Sequence, residues 1–316
     1  MSGVKMAATR DAYGKVLAEL GKEYPNIVVL DADLSASTKT ANFAKAFPER
    51  FFDMGVAEQD MIGTAAGLAA CGKIVFASTF AVFGSGRAWD QVRMSVAYTR
   101  LNVKIVVTHA GITTGEDGAS HQANEDIAIM RALPNMTVVV PSDAVETEKV
   151  IRAAVKYYGP MYIRLGRPKI PIINTDPNYD YQIGKGIVMR QGTDVTIFAC
   201  GLMVSEALDA AEILKADGIS AQVVNLHTIK PLDKGLIIHC AQQTKAVVTA
   251  EEHSIVGGLG GAVAETLVEN CPVPMARLGL KDIFGESGKP EELLVKYGLT
   301  AKDVVKSVKA VLERKK

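Results

Sequence analysis

The sequence predicts an α/β protein of two domains, each a three-layer αβα arrangement in which helices cover a mainly parallel sheet. Short apolar runs rich in β-branched residues alternate with segments of helical periodicity. The apolar runs are continuous, which is typical of strands buried on both faces. This alternation lapses once, in a segment with several prolines, and then resumes. The length of 316 residues fits about two domains.

The first set of elements predicts a domain over residues 1–175. Strands are expected where β-branched residues form unbroken runs, and helices where apolar residues recur every three or four positions. The expected strands are Ile27–Leu30, Lys73–Ala77, Lys104–Thr108, Thr137–Val140 and Met161–Arg164, and the expected helices are Ala8–Leu20, Asp60–Cys71, Arg87–Thr99 and Ala144–Lys156.

Turn dipeptides and prolines then predict a linker over residues 176–192, followed by a second domain over residues 193–316. The second domain repeats the alternation of the first, so we expect a second parallel sheet. Its expected strands are Val195–Ala199, Ser220–Asn225, Ala246–Glu251 and Pro274–Leu278, and its expected helices are Val204–Ala216, Gly261–Asn270 and Ala301–Arg314.

Composition excludes several classes of protein. Lys plus Arg and Asp plus Glu both number 35, so no net field favours nucleic acid or an anionic membrane surface. No apolar run is long enough to span a membrane, and the first residues lack the apolar core of a signal peptide. The four cysteines form no CxxC pair and no zinc pattern, which favours reduced thiols in a cytoplasmic protein.

A single carboxylate, Glu58, precedes a helix of small and apolar residues. From Met61 to Gly72 the sequence has no charge, so we expect this helix to be buried on most sides. Desolvation disfavours a carboxylate anion, which makes Glu58 a candidate acid or proton relay. The alternative is structural, since carboxylates also satisfy free amides in the first turn of a helix.

The segment after Lys104–Thr108 contains two of the five histidines, His109 and His121, with acidic residues and glycines between them. Long loops at the carboxyl ends of parallel strands usually carry function, although a solvated glycine-rich loop remains possible. The spacing of twelve residues between the histidines matches no standard metal motif, so no metal site is predicted.

Glycine-rich segments give little support for nucleotide binding. The sequence GGLGGAVAE, residues 257–265, follows a predicted strand, but it matches the dinucleotide fingerprint only loosely. Close packing of a strand against a helix explains its glycines equally well. The sequence has no GxxxxGK[ST] motif, which excludes a P-loop.

Three segments closely resemble the pyrimidine-binding domain of transketolases: GVAEQDMIGTAAGLA, ASTFAVFGSGRAWDQVR and THAGITTGEDGASHQANEDIAIMRALPNMTVVVPSD. The later segment TDVTIFACGLMVSEALDAAEIL resembles the C-terminal domain of the same thiamine-diphosphate superfamily. The resemblance extends over essentially the whole chain. It implies a transferase that moves a two-carbon ketol group from a ketose phosphate to an aldose phosphate, in the pentose phosphate pathway.

The resemblance assigns cofactor contacts to three residues. Glu58 matches the glutamate that hydrogen-bonds the ring nitrogen of the aminopyrimidine and so promotes loss of the thiazolium proton. Phe80 matches the aromatic residue that stacks on the pyrimidine, and Phe83 its neighbour. Gly86 occupies a position at which the family usually has tyrosine, so the aromatic wall is incomplete here.

Substrate contacts follow from the same resemblance. His109, Asp117 and His121 match residues that contact the donor sugar, and imidazoles with a pKa near neutrality suit proton movement at its hydroxyl groups. A second group matches the residues that bind the substrate phosphate, because guanidinium groups and hydroxyls donate to phosphate oxygens. This group is Arg10, Ser37 and Arg167.

Two further assignments remain open or structural. Asp33 matches an aspartate near the cofactor, although a capping or turn role would explain it equally well. The histidines of the second domain, His227, His239 and His253, are interpreted as structural, because in this family that domain usually lies away from the cofactor.

One expected part of the family is missing. Full-length transketolases begin with a domain whose GDG…N segment holds magnesium and the cofactor diphosphate, and the sequence has no convincing counterpart. The resemblance therefore implies the C-terminal subunit of a split transketolase, active only with an N-terminal partner in an α2β2 assembly. The partner would hold the Mg²⁺ and the diphosphate of thiamine diphosphate.

Other functions remain as alternatives. The β subunits of 2-oxo-acid dehydrogenases have the same length and domain order, but they lack the GEDGASHQ sequence. Deoxyxylulose-phosphate synthases share the loop, yet they typically carry arginine at the position of His109. A non-catalytic regulatory subunit would have no physical reason to retain Glu58, His109, Asp117 and His121 together.

Overall fold

Strands and helices alternate along the first half of the chain, as the periodicity predicts. The structure is a computed structural model that describes residues 5–176 and 179–315; residues 1–4 of the predicted first domain, residues 177–178 of the predicted linker and residue 316 lie outside the described residues. The elements are β1 (Met6–Ala8), α1 (Thr9–Glu23), β2 (Ile27–Asp31), α2 (Ser35–Thr38), α3 (Ala41–Ala46), β3 (Phe51–Asp53), α4 (Glu58–Ala70), β4 (Ile74–Phe80), α5 (Trp89–Gln91), β5 (Val103–Thr108), α6 (Asp126–Arg131), β6 (Thr137–Val139), α7 (Ala144–Lys156), β7 (Met161–Arg164) and β8 (Lys169–Pro171).

The second half repeats the pattern. Every strand that the sequence predicts is present in the structure, with its ends shifted by three residues or fewer. The elements are β9 (Ile187–Arg190), β10 (Val195–Ala199), α8 (Met203–Ala216), β11 (Ala221–Asn225), β12 (Thr228–Lys230), α9 (Lys234–Thr244), β13 (Val247–Ser254), α10 (Leu259–Asn270), β14 (Met275–Leu280), α11 (Pro290–Lys296) and α12 (Ala301–Leu312).

Two mainly parallel sheets organise the chain. The first has seven strands in the order β12-β6-β7-β5-β4-β2-β3, and the second has five in the order β14-β13-β10-β11-β9. Within each sheet one edge pair is antiparallel, β12 with β6 and β11 with β9. A short antiparallel pair, β1 with β8, lies apart from both sheets. The predicted α/β class is confirmed.

Helices cover both faces of each sheet. On one face of the first sheet, apolar residues of α1 and α7 pack on β2, β4, β5 and β7, and on the other face α4 contributes Met61, Ile62 and Ala65. The second sheet is enclosed by α8 and α12 on one face and by α9 and α10 on the other. Within the described residues, no helix is both long enough and apolar enough to cross a membrane.

The predicted helix Arg87–Thr99 is wrong in its form. Two π-helical turns, Phe83–Arg87 and Val92–Ala97, flank the short helix α5. A π turn has an extra residue compared with an α turn, which changes the direction of the side chains that follow it. Gly84 permits the first turn, because a Cβ at this position would lie 2.9 Å from Val107 Cγ1 on β5.

Several elements were not predicted from the sequence. The strand β9 lies inside the predicted linker, and α9 and β12 lie where no element was expected. β12 follows the second domain's β11 in the chain but pairs with β6 of the first sheet. The two halves also share one apolar core, which contains Val107 of β5 and Phe198 of β10.

A buried ion pair lies where the two halves meet. Arg164 Nε, at the end of β7, donates to Asp126 Oδ2 at 2.8 Å, and Tyr162 also donates to this oxygen, at 2.7 Å. Arg164 Nη2 donates to the carbonyl oxygens of Ala123 at 3.1 Å and of Glu252, on β13, at 2.9 Å. A single guanidinium thus connects β7, the end of the His109–His121 loop and the second domain.

We predict that Asp126→Ala lowers the free energy of unfolding by about 3 kcal/mol, because it leaves the charge of Arg164 buried without its carboxylate. This is the lower end of the range for breaking a buried ion pair, since Arg164 keeps its two carbonyl acceptors. Urea denaturation measures the change. Glu19→Ala is the control: its pair with Arg152 is solvent-exposed, so it should cost less than about 1 kcal/mol. Equal losses in the two variants would contradict the prediction.

Candidate active site

Three strand ends of the first sheet bring the predicted site residues to one edge. The parallel strands β2, β4 and β5 lie side by side, and the segments with Ser37, Phe80 and His109 occur at or after their carboxyl ends. Ligands of open α/β sheets bind at this edge. The helix α4 begins at Glu58 and packs on one face of the first sheet. The π turn that carries Phe83 lies next to this helix.

Four aromatic rings form the centre of the site. The ring of Phe80 stacks on His109 with 3.8 Å between centroids, and lies 6.2 Å from the nearly parallel ring of Phe83. The rings of His121 and Phe83 are T-shaped, with 5.2 Å between their centroids. The loop after β5 and the turn after β4 are therefore packed against each other through the side chains that the sequence identified.

The backbone of His109 is unusual. Its φ is 57°, in the left-handed region that residues other than glycine rarely adopt. Thr114 Oγ1 donates to the carbonyl oxygen of His109 at 2.6 Å. Such conformations persist only when the surrounding structure holds them, and they cluster at functional sites.

Two contacts of the imidazole determine which nitrogen carries the proton. Arg10 Nη1 lies 3.3 Å from Nε2 of His109, and a guanidinium can only donate, so Nε2 is the acceptor. The proton therefore resides on Nδ1, which donates to Thr108 Oγ1 at 2.8 Å. This arrangement fixes a neutral imidazole of defined orientation.

His109 does not have the near-neutral pKa that the sequence led us to expect. Burial, reinforced by the positive charges of Arg10 and Arg167, lowers its pKa to about 3. Its side chain is only 3% exposed. At physiological pH this residue is a neutral hydrogen-bonding group, not a carrier of charge.

The predicted phosphate-binding residues lie beside His109. Arg10 Nη1 donates to the carbonyl oxygen of Ser37 at 3.0 Å, and burial and the charge of Arg167 lower the pKa of Arg10. Arg167 donates to the carbonyl oxygen of Thr114 and to Glu116 Oε2, the latter at 2.8 Å. Asp117 is exposed on the same loop. Two guanidinium groups next to a neutral imidazole form an electropositive end of the site.

Glu58 is buried, with 1% of its surface exposed, but the prediction that its helix is buried on most sides is wrong, and the carboxylate is not enclosed by apolar groups alone. Arg87 Nη1 lies 2.9 Å from both carboxylate oxygens. The guanidinium carbon of Arg87 is also 4.4 Å from the centroid of the Phe83 ring. The carboxylate thus has a cationic partner in this chain, and one face of α4, with Gln59, Gly63 and Gly67, is exposed.

Sequence analysis missed Arg87, although it stands at the end of the STFAVFGSGR segment. Its proximity to Glu58 depends on the π turn, and this turn had no clear signal beyond two closely spaced glycines. A Cβ at Gly86 would have no neighbour within 4 Å among the described residues. The position at which transketolases usually have tyrosine, according to the sequence resemblance, is therefore open space.

Among the remaining candidates, Asp33, His227 and His253 have hydrogen bonds within the chain. Asp33 is exposed with φ 60°, and its N–H donates to Asp53 Oδ1 at 3.1 Å, as expected for a turn. His239 is exposed on α9, whereas His227 bonds Thr228, and His253 accepts the N–H of Ala128 at 3.3 Å.

The start of α10, within GGLGGAVAE, already has an anion of its own. Glu251 accepts from the N–H of Leu259 at 2.7 Å and from that of Gly260 at 2.8 Å. These are amides that a dinucleotide phosphate would use. Across residues 5–176 and 179–315, no group of three His, Cys, Asp or Glu side chains is placed to hold a metal ion. The four cysteines are free thiols.

Comparison with protein families matches both halves of the chain. Residues 5–172 match the transketolase pyrimidine-binding domain, and residues 184–304 match the transketolase C-terminal domain. The chain belongs to the transketolase family. The resemblance noted in the sequence is thereby confirmed over both sheets.

Relatives of this transketolase-family chain are of two lengths. A 6-deoxy-6-sulfo-D-fructose transketolase subunit of Clostridium sp. is 48% identical over 306 residues, 97% of this chain and 95% of that protein. The transketolase of Rattus norvegicus is 41% identical over 311 residues, 97% of this chain but 49% of that protein. A solved structure titled as an inactive β4 tetramer of a split-gene transketolase is 56% identical, with a TM-score of 0.91, and covers 98% of this chain and 99% of its own.

The lowered pKa of His109 makes stability depend on pH in a defined direction. The pKa is about 3 in the folded chain and 6.5 for an unperturbed histidine, so between these values the unfolded chain binds more protons. The stability that depends on His109 being neutral is therefore fully present above pH 6.5, and it is lost as the pH falls toward 3. We predict that His109→Gln makes the free energy of unfolding depend less steeply on pH between 6.5 and 5, in urea titrations.

Nitrogen NMR of the imidazole provides a second measurement. In the folded wild-type chain, His109 should remain neutral at pH 5.5, with its proton on Nδ1. A charged His109 at this pH, or equal slopes for the variant and the wild type, would contradict the assignment.

Proposed function

We propose that this chain is the C-terminal subunit of a split, thiamine-diphosphate-dependent transketolase, which transfers a two-carbon ketol group from a ketose phosphate to an aldose phosphate. It acts with a separate N-terminal subunit, as an α2β2 assembly in the cytoplasm, in the pentose phosphate pathway. The support comes from the family of the chain and from the arrangement of its own side chains.

One observation carries the proposal: an unbroken row of contacts joins the electropositive end of the site to its carboxylate end. Along this row, a cation is followed by an imidazole, two aromatic rings, a second cation and a carboxylate. The contacts are Arg10–His109 at 3.3 Å, His109–Phe80 at 3.8 Å, Phe80–Phe83 at 6.2 Å, Phe83–Arg87 at 4.4 Å and Arg87–Glu58 at 2.9 Å.

The carboxylate end fits the aminopyrimidine half of the cofactor. Glu58 is a buried carboxyl that would hold the ring nitrogen and move a proton there, and Phe80 and Phe83 offer flat surfaces for stacking on the ring. When bound, thiamine diphosphate supplies the nucleophilic carbon that takes up the two-carbon unit. The ring nitrogen would approach a carboxyl whose two oxygens each lie 2.9 Å from Arg87 Nη1.

The electropositive end fits an anionic sugar. Arg10 and Arg167 would bind the phosphate, with the Ser37 hydroxyl as a further donor, because guanidinium groups match phosphate oxygens. His109 is held neutral, so once Arg10 turns from Nε2 to the phosphate, this nitrogen would accept from a sugar hydroxyl and not protonate it. His121 and Asp117 would contact the remaining hydroxyls of the donor, and His121 would move the proton.

A partner completes the cofactor site in this proposal. The chain spans about half of the rat transketolase, and its described residues offer no cluster of acidic and imidazole ligands for a metal. We assign Mg²⁺ and the diphosphate to the N-terminal subunit. The exposed face of α4, which includes Gly63 and Gly67 of the helix that Glu58 begins, is the surface on which we expect this subunit to pack.

The identity of the sugar is a finer part of the proposal. One relative is named for 6-deoxy-6-sulfo-D-fructose, and another, 38% identical, is an apulose-4-phosphate transketolase subunit of Phocaeicola vulgatus. A sulfonate and a phosphate are both anions that Arg10 and Arg167 could bind. Comparing pentose phosphates with these two sugars in one assay therefore tests our proposal that pentose phosphates are the substrates.

We predict that the purified chain has no ketol-transfer activity alone, and that its N-terminal subunit, thiamine diphosphate and Mg²⁺ together restore it. Co-purification followed by an assay with xylulose 5-phosphate and ribose 5-phosphate measures this. The partner with cofactor and metal, but without this chain, is the control. Full activity of the chain alone would contradict the proposal that two subunits share the cofactor site.

We predict that Glu58→Gln slows hydrogen exchange at the thiazolium carbon of the bound cofactor by about 100-fold or more, the usual effect of losing a positioned acid or base. The amide keeps the shape of the side chain but cannot exchange a proton with the ring nitrogen. Proton NMR of the quenched complex in deuterated buffer measures the rate. Asp60→Asn, in the same turn but exposed, should exchange at the wild-type rate.

A further inference from the structure

Two adjacent buried glutamates lie on β13 of the second domain. Glu251 is 0% exposed and Glu252 is 5% exposed. Neighbouring residues of a strand point to opposite faces, so the two carboxylates serve different parts of the molecule. Glu251 accepts from the first amides of α10 within its own domain. Glu252 is turned toward the first domain.

The carboxylate of Glu252 packs directly on the loop that follows β5. Its Oε1 accepts from the N–H of Thr113 at 2.7 Å. Gly111 makes this approach possible, because a Cβ there would lie 2.3 Å from Glu252 Oε1. Gly111 also has φ +78°, which other residues rarely adopt. The loop backbone is therefore shaped to receive this side chain.

From Thr113 the contacts continue to His109. The next residue, Thr114, donates from Oγ1 to the carbonyl oxygen of His109 at 2.6 Å. His109 has its left-handed φ of 57° at this point. A disfavoured conformation needs surrounding contacts to hold it. Two hydrogen bonds and the peptide bond between Thr113 and Thr114 thus connect Glu252 to the backbone of His109, the residue whose ring stacks on Phe80.

The second domain also touches this loop elsewhere: Ile112 packs into the apolar core of the second domain, and three further hydrogen bonds involve later residues of the loop. The N–H of Ser254 donates to the carbonyl oxygen of Asn124 at 2.7 Å, and Gln122 donates to the carbonyl oxygen of Glu286 at 2.9 Å. Ser287 Oγ donates to the carbonyl oxygen of Glu116 at 2.7 Å. Glu252 is distinct in using its carboxylate at the part of the loop next to His109.

Arg164 provides the local charge balance. Its Nη2 donates to the carbonyl oxygen of Glu252, and its cation opposes the effect of burial, which raises the pKa of the Glu252 carboxyl to about 7. The Thr113 N–H opposes burial as well, whereas Asp126 adds to it. The Glu252 carboxylate thus lies near the cation of Arg164, the anion of Asp126 and the backbone amide of Thr113.

We propose that Glu252 is a positioning residue of the active site: through Thr113 and Thr114, this carboxylate of the second domain sets the loop backbone that orients His109 toward the substrate. The effect on catalysis rests on the proposed function. The effect on the loop does not, and can be measured separately.

Two substitutions separate positioning from packing. Glu252→Gln keeps an oxygen that can accept from Thr113, whereas Glu252→Ala removes the acceptor and leaves a buried amide unpaired. Glu251→Gln and Glu251→Ala are matched controls, since Glu251 is on the same strand, equally buried and also bonded to backbone amides.

Hydrogen exchange of the full chain, followed by mass spectrometry, tests the loop. We expect Glu252→Ala to speed exchange in peptides covering residues 110–117 by about tenfold, the effect of losing one buried hydrogen bond. Glu252→Gln should restore slow exchange there. Glu251→Ala should instead speed exchange at the start of α10. Unchanged exchange at 110–117 in Glu252→Ala would overturn the proposal.

Kinetics of the assembled enzyme, with partner, thiamine diphosphate and Mg²⁺, test the site. For Glu252→Ala we expect kcat/KM for the ketose phosphate to fall about tenfold while the Kd for the cofactor changes less than twofold, with recovery in Glu252→Gln. Equal losses in Glu251→Ala would indicate general destabilisation and overturn the positioning role. Absence of ketol transfer in the wild-type complex would count against the proposed function alone, because the exchange experiment still decides this inference.

Thr114→Val provides an independent variant in case Glu252→Ala does not fold. It removes the hydroxyl that holds the His109 carbonyl and leaves Glu252 intact. We expect faster exchange at residues 108–111 and the same fall in kcat/KM for the ketose phosphate. Wild-type values in both measurements would break the proposed line of contacts and overturn the proposal.

Discussion

The stacking of His109 on Phe80 is the contact on which the rest of the site depends. The two rings belong to segments that end neighbouring parallel strands, β5 and β4, and their centroids are 3.8 Å apart. A histidine with a left-handed backbone can reach this position, whereas an extended residue there would continue the direction of the strand. Once His109 lies on Phe80, its Nε2 faces Arg10, and the cationic end of the site is fixed.

This geometry changes the chemical role of the residue. A histidine at the surface would titrate near neutrality, but one enclosed by an aromatic ring and two guanidinium groups is held neutral. The neutral imidazole then contributes a hydrogen bond of fixed direction, in which Nδ1 is the donor. The positive charges that act on His109 belong to Arg10 and Arg167.

The sequence predicted the layers and strands well because continuous apolar runs have few alternatives to a buried parallel sheet. It predicted Phe80, His109 and Arg10 as one site through resemblance, and the structure brings them together. The prediction from sequence failed where contacts between residues distant in the chain determine the structure. The strand β12 has a weak local pattern and exists because β6 offers an open edge, and the π turns depend on packing against β5.

The same limit explains why the surroundings of Glu58 were misjudged. Local composition showed an uncharged helix, but the cation that meets the carboxylate is 29 positions away in sequence and reaches it from a π turn. A buried carboxylate without a partner is costly, so Glu58 needs a counter-ion within the chain. Arg87 meets this need from a half-exposed position, and a cation that keeps one end in solvent can move away more readily than an enclosed one. Under the proposed function, the pair therefore reconciles a stable chain with a carboxyl that would be reached by a ring nitrogen of the cofactor.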